Sequence, residues 1–111
     1  MAFERACATS EVPKDEALGV IIDDLEVAIA RDGDEIFAIR NECSHAAVAL
    51  SEGEVADGTV ECWLHGSCFD LRSGKPTHLP ATEPVAIFPV ELRGDDVYVD
   101  VTTSLNGVRP D

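Results

Sequence analysis

The sequence predicts an all-β fold of antiparallel strands, on three observations. Short runs rich in β-branched residues recur between turn signals, two Gly-Asp pairs sit where hairpin loops belong, and no stretch carries a long helical period. Strands are expected over 3–7, 18–23, 25–31 and 35–40. Asp32-Gly33-Asp34 is a hairpin connection between the third and the fourth, because glycine reaches the positive φ that a tight hairpin loop requires. Gly94-Asp95-Asp96 does the same between IFPVELR and DVYVDV, near the end of the chain. In the latter run Val97, Val99 and Val101 alternate with Tyr98 and Asp100, which predicts one buried and one solvated face. Pro89 lies inside the partner strand and lacks an N–H, so an edge or a bulge is expected there. Ser10–Glu16 is the one candidate for a turn of helix, with Ser10 as its cap and Pro13 early in it. Residues 103–111 lack alternation and are expected to fray.

These elements amount to a single domain over 1–111, with a β framework at 1–40 and 83–102 around an inserted middle, 41–82, of weaker periodicity. The 22 acidic and 8 basic residues give a formal charge of −14, which excludes a nucleic-acid binder that must neutralise phosphates. That charge serves solubility, or steers the protein toward a partner with a basic docking face. There is no cationic start followed by a long apolar run, and no apolar run of transmembrane length, so neither a signal peptide nor a membrane anchor is expected. A cytoplasmic location follows as an expectation. In that reducing compartment the four cysteines are better suited to metal or redox chemistry than to disulfides.

Chemistry concentrates in the middle segment. Cys43-Ser44-His45 and Cys62-Trp63-Leu64-His65 each contribute one thiol and one imidazole, and each pair is close enough in sequence to reach one small inorganic centre. A lone zinc accepts two thiolates and two imidazoles, but structural zinc sites usually group like with like. One Cys and one His from each loop suits a centre with two different ends, one iron taking both thiolates and the other both imidazoles.

That ligand set is the one found in Rieske [2Fe-2S] clusters. The pattern Cys-x-His, 16 residues, Cys-x-x-His resembles the Rieske ferredoxin family. So do Leu50-Ser51-Glu52-Gly53 in the first loop, His65-Gly66-Ser67 and Phe69-Asp70 in the second, Ser73-Gly74 in the next turn and Leu79-Pro80-Ala81 in the third loop. The resemblance implies a Rieske-like antiparallel β sandwich with an inserted cluster-binding subdomain. It also implies one cluster held by Cys43, His45, Cys62 and His65, with the histidines at an exposed tip. Relatives in respiratory and photosynthetic cytochrome complexes add a cysteine to each loop and a tyrosine after the second. This chain has Val48, Leu64 and Phe69 there, and is similar instead to the low-potential group that serves oxygenases. The run VECWLHGSCFDLRSGKP followed by LPATEPV is similar to small actinobacterial ferredoxins, described as oxygenase subunits and sometimes linked to iron-sulfur assembly.

Two ferric ions, two sulfides, two thiolates and two neutral imidazoles are formally neutral, so adding an electron is easier than with four thiolates. Rieske potentials accordingly span roughly −150 to +300 mV. Ser67 retains a hydroxyl donor and Phe69 has none, which places the expectation in the lower part of that range. The chain is too short for the further catalytic domain of a Rieske oxygenase, so an electron carrier and not an enzyme is expected. Its expected partners are a flavin-containing ferredoxin reductase and a terminal oxygenase. The alternative is an accessory of iron-sulfur cluster assembly. Cys7 and Cys68 are read as packed residues, His78 as a solvated loop residue and Trp63 as a shield or packing group beside the site. Gly53, Gly58, Gly66 and Gly74 are expected to meet backbone needs, either positive φ or close approach to the cluster.

Overall fold

In the computed structural model, residues 3–44, 48–63, 66–77 and 82–109 are described, and their strands form three antiparallel sheets. Strands β1 (Glu4–Ala8), β2 (Ala17–Ile22), β3 (Leu25–Asp32) and β4 (Glu35–Arg40) lie within a residue or so of their expected positions. In the middle segment follow β5 (Val55–Ala56), β6 (Thr59–Glu61) and β7 (Cys68–Asp70), and then β8 (Ile87–Phe88), β9 (Val90–Arg93) and β10 (Asp96–Val99). One sheet has the order β1-β10-β9, the second β2-β3-β4-β8 and the third β5-β6-β7.

Local turn chemistry sets the hairpins. Gly33 and Gly94 take φ of 61° and 60° at the first position of their two-residue loops, as anticipated. Asp23 and Asp24 hold φ of 51° and 65° between β2 and β3, closing a tight loop on the Ile22–Leu25 pair. Asp57-Gly58 does likewise between β5 and β6, with φ of 53° and 75°. Both loops escaped the strand reading, although Asp-Gly is a strong hairpin signal.

The second sheet is the middle layer. Val27 and Ile29 of β3 pack with Ala38, Phe88, Val97, Val99 and Cys7 toward the first sheet. Ala28 and Ala30, on the opposite face, join Ile39, Leu50, Val55, Val60 and Phe69 toward the third. All four consecutive side chains of β3 from Val27 to Ala30 are fully buried, which is why this strand reads as an apolar run and does not alternate.

Pro89 marks more than an edge. β8 pairs with β4 in the second sheet and β9 pairs with β10 in the first, so the chain changes sheets at the residue that cannot donate to a ladder. Two expectations change. The helical turn is Thr9–Glu11, starting one residue earlier than expected and ending short of Pro13; Ser10 lies inside it and the cap position falls to Ala8, whose backbone N donates to Glu11 Oε1 at 2.8 Å. Asp100 is not on a solvated face: it is fully buried. The strand ends at Val99, and the Asp100 carboxylate turns back to accept from Thr102 N at 2.9 Å and Thr103 Oγ at 3.2 Å.

Beyond β10 the chain is tied down by side-chain amide bonds, which hydrophobic alternation does not reveal. Asn106 Nδ2 donates to Ser73 O at 2.9 Å and to Val85 O at 2.8 Å, while Leu105 N donates to Ile87 O at 2.9 Å. Asn106→Ala is expected to destabilise the protein by about 2 kcal/mol, because two carbonyls lose their donor at once. Urea denaturation should show a lower midpoint at unchanged slope, and a loss under about 0.5 kcal/mol would refute the tie. Among the described residues no helix is long and apolar enough to cross a membrane.

Candidate metal centre

The first candidate loop leaves β4 at Arg40 and is clamped at its neck. Asn41 Oδ1 accepts from Ser51 N at 2.8 Å and Asn41 Nδ2 donates to Ser51 Oγ at 2.9 Å, so one amide spans the whole loop. Asn41 N in turn donates to Glu26 O on β3 at 2.9 Å. Within this neck Cys43 N donates to Val48 O at 3.0 Å, and Ser44 Oγ reaches Glu83 O at 2.6 Å. Leu50 follows, fully buried. Sequence reasoning named Ser51 as part of a motif but missed Asn41, whose signal is its place between the end of a strand and the first candidate ligand.

The second loop joins β6 to β7. Cys62 N donates to Ser67 O at 2.6 Å and Gly66 N returns to Cys62 O at 3.0 Å, which folds the backbone into a narrow turn. Gly66 supplies the φ of 75° that the turn needs. Ser67 and Phe69 are fully buried. The two loops are held together by Gly53: Glu61 N donates to Glu54 O at 2.9 Å, and there is no room for a side chain on Gly53 against the Glu61 backbone. The close approach that this glycine permits is therefore between the two loops.

The structure brings Cys43 and Cys62 into one apolar cluster with Leu50, Val60 and Phe69, exposing 3% and 1% of their surfaces. His45, His65 and His78 lie outside the described residues, as does Leu64. Among the described residues no group of three or more His, Cys, Asp or Glu converges. No disulfide joins any two of the four cysteines. Cys7 belongs to the other core, between the first two sheets, where burial pushes its thiol pKa up and Glu11 adds to the rise. Cys68 is half-buried in β7, with Sγ 3.7 Å from Gly66 O, and its thiol pKa is also raised, by burial first and Glu61 second. Both shifts favour the neutral thiol over the thiolate that a metal requires. Trp63, expected to shield or pack, leaves half its surface exposed.

The donor chemistry fits a cluster with one sulfur-bound iron. Two cysteines from separate loops belong to one buried apolar cluster, each loop closed by backbone bonds at its own cysteine.

Residues 3–89 match the family described as Rieske [2Fe-2S] domain. The chain is 44% identical over 101 residues to the biphenyl dioxygenase ferredoxin subunit of Pseudomonas sp. strain KKS102, covering 90% of this chain and 93% of that one. The structure is similar to that of the ferredoxin of carbazole 1,9a-dioxygenase from Nocardioides aromaticivorans IC177, with a TM-score of 0.83, 35% identity and coverage of 89% of this chain and 97% of that one. It is also similar, with a TM-score of 0.80, 32% identity and coverage of 87% and 91%, to a chain in a complex of reduced oxygenase and oxidised ferredoxin in carbazole 1,9a-dioxygenase.

Proposed function

The chain belongs to the Rieske [2Fe-2S] family as an electron-carrying ferredoxin, and from that premise we propose that Cys43 and Cys62 hold one iron and His45 and His65 the other, and that the protein carries electrons from a flavin-containing reductase to a terminal oxygenase. The pair of buried thiols, one from each loop, carries this assignment. The cluster, when bound, takes up and releases one electron at a time. The protein's own residues do the rest. Asn41 and Ser51 fix the neck of the first loop, so that Cys43 keeps its position as charge changes nearby. Leu50 and Phe69 exclude water from the cysteine side, and Phe69 offers no hydroxyl where a phenol would add a donor. The segment 41–82, which contains the third sheet, acts as the cluster-holding unit on the β framework. The relatives' names and the oxygenase complex of the carbazole system support an oxygenase as acceptor. A cytoplasmic setting agrees with four cysteines without a disulfide.

The purified protein is expected to contain two irons and two acid-labile sulfides per chain, and its reduced form to give a paramagnetic signal of low average g. With the reductase and oxygenase components of a biphenyl dioxygenase it should support substrate oxidation that stops when it is left out. Stoichiometric zinc without sulfide would overturn the ligand assignment, and a fully loaded protein that sustains no turnover would overturn the oxygenase role.

A further inference from the structure

The chain has two asparagines, and they sit in different settings. Asn41 precedes Glu42 and closes the neck of the first loop, whereas Asn106 precedes Gly107 in the segment beyond β10. An asparagine loses its side-chain amide most readily before glycine, because no side chain there keeps the following main-chain nitrogen away from the amide carbon. Gly107 is exposed at φ of 73°, no described atom lies within 4 Å of a Cβ added there, and its N–H makes a long bond to Ser104 O at 3.5 Å. The Asn106 amide, in contrast, is engaged at both ends. Nδ2 donates to Ser73 O at 2.9 Å and to Val85 O at 2.8 Å. Oδ1 accepts from Ser104 Oγ at 2.9 Å, Val108 N at 3.3 Å and Ile87 N at 3.4 Å. The side chain most prone to lose its amide is therefore the one that ties the tail to the turn after β7 and to β8.

We propose that Asn106-Gly107 is a self-modification site, at which the loss of one ammonia unlocks the tail. When the tail opens, the Gly107 nitrogen bonds to Asn106 Cγ, the Cγ–Nδ2 bond breaks, and ammonia leaves with the proton that the Gly107 nitrogen gives up. Water then opens the cyclic imide at either carbonyl and leaves aspartate or isoaspartate at position 106. Nothing is oxidised or reduced, and water is the sole co-reactant. The product cannot restore the tie. A carboxylate has acceptors and no donor, so an oxygen would face the Ser73 and Val85 carbonyls where Nδ2 had donated to them. Val85 N donates to Gly74 O at 2.9 Å along the same seam, so what loosens is the joint between segment 41–82 and the β framework. The modification also adds a negative charge to a molecule already at −14. The closed fold guards the site, because an amide held at both ends cannot swing onto the Gly107 nitrogen. Its rate follows how often the tail opens, which makes the site a clock of local opening.

The test is peptide mapping by mass spectrometry of the cluster-loaded protein, incubated at mildly alkaline pH with and without denaturing guanidinium chloride, with isoaspartate counted by enzymatic methylation. The peptide carrying Asn106 is expected to gain the mass that separates a carboxylic acid from an amide, while the peptide carrying Asn41 stays unchanged in the folded protein. The reaction should run about tenfold to a hundredfold faster in the denaturant than in the folded protein. Gly107→Ala, which puts a methyl group beside the attacking nitrogen, should slow the denatured reaction by about fivefold or more. Asn106→Asp should lower the folding equilibrium constant by about thirtyfold or more, with a urea midpoint below that of Asn106→Ala, because repulsion is added to the lost donor. Aged protein, separated from the unmodified form by its added charge on ion exchange, gives the same comparison where that variant does not fold. The proposal is overturned by an amide at position 106 still intact in the folded protein after about a hundred half-lives of the denatured reaction. Equal rates with and without denaturant would overturn it as well, as would an aged fraction as stable as the parent.

Discussion

Replacing Gly53 by alanine is expected to lower the melting temperature by about 12 °C or more and to leave most of the protein without its cluster. The backbone of Gly53 is not the reason, since φ of −91° and ψ of −179° suit any residue. Space is. A Cβ at this position would lie 1.6 Å from Glu61 O and 2.8 Å from Glu61 C, and both are backbone atoms that cannot rotate away. Relief requires parting the end of the first loop from β6. That motion strains the Glu61 N to Glu54 O bond, the Val55–Val60 pair and the packing of Leu50, and it carries Cys62 away from Cys43. Overpacking of this kind costs about 3 kcal/mol, a large share of a marginal total. Gly33→Ala is the internal control. Its φ of +61° strains any side chain, but nothing lies within 4 Å of the added Cβ, so it should cost only about 1 kcal/mol and keep the chromophore. Thermal melts by circular dichroism, with iron counted per chain, compare the two. Equal losses at both glycines would refute the crowding between the loops at Gly53.

Cys43→Ser and Cys62→Ser should each cut cluster content about tenfold or more, while Cys68→Ser and Cys7→Ser keep it. The reason is where each sulfur sits. Cys43 and Cys62 sit in loops closed by their own backbone bonds and face one apolar cluster. A serine hydroxyl is a poor thiolate substitute, because it does not ionise near neutral pH and iron-sulfur centres demand soft donors. Cys68 lies in β7, with its thiol held neutral by burial and by Glu61, and Cys7 is in the other core. Iron and sulfide analysis of the four purified variants decides the matter. Loss of iron in Cys68→Ser with a normal cluster in Cys43→Ser would show that the thiolates were assigned wrongly.

The sequence by itself determined whatever depends on neighbours along the chain. Strands β1 to β4 and β10 follow from short-range alternation and β-branched content, and the Gly33 and Gly94 hairpins from a residue that reaches positive φ. The Cys/His spacing named the family, because ligand chemistry is written in residue type and reach. Tertiary structure alone decided what depends on segments far apart. Asp100 reads as a polar outward position until the strand stops at Val99 and its carboxylate finds Thr102 and Thr103. Pro89 reads as an edge until its strand is seen to serve two sheets, and Asn106 is an unremarked tail residue until Ser73 and Val85 present their carbonyls to it. Gly53 shows the difference most plainly: its dihedrals give no cause for glycine, and only the approach of Glu61 across a loop and a hairpin, eight residues on, forbids a side chain there. Periodicity and turn preference are local energies and can be read in order, whereas close packing is a condition on pairs of atoms that the fold must first bring together.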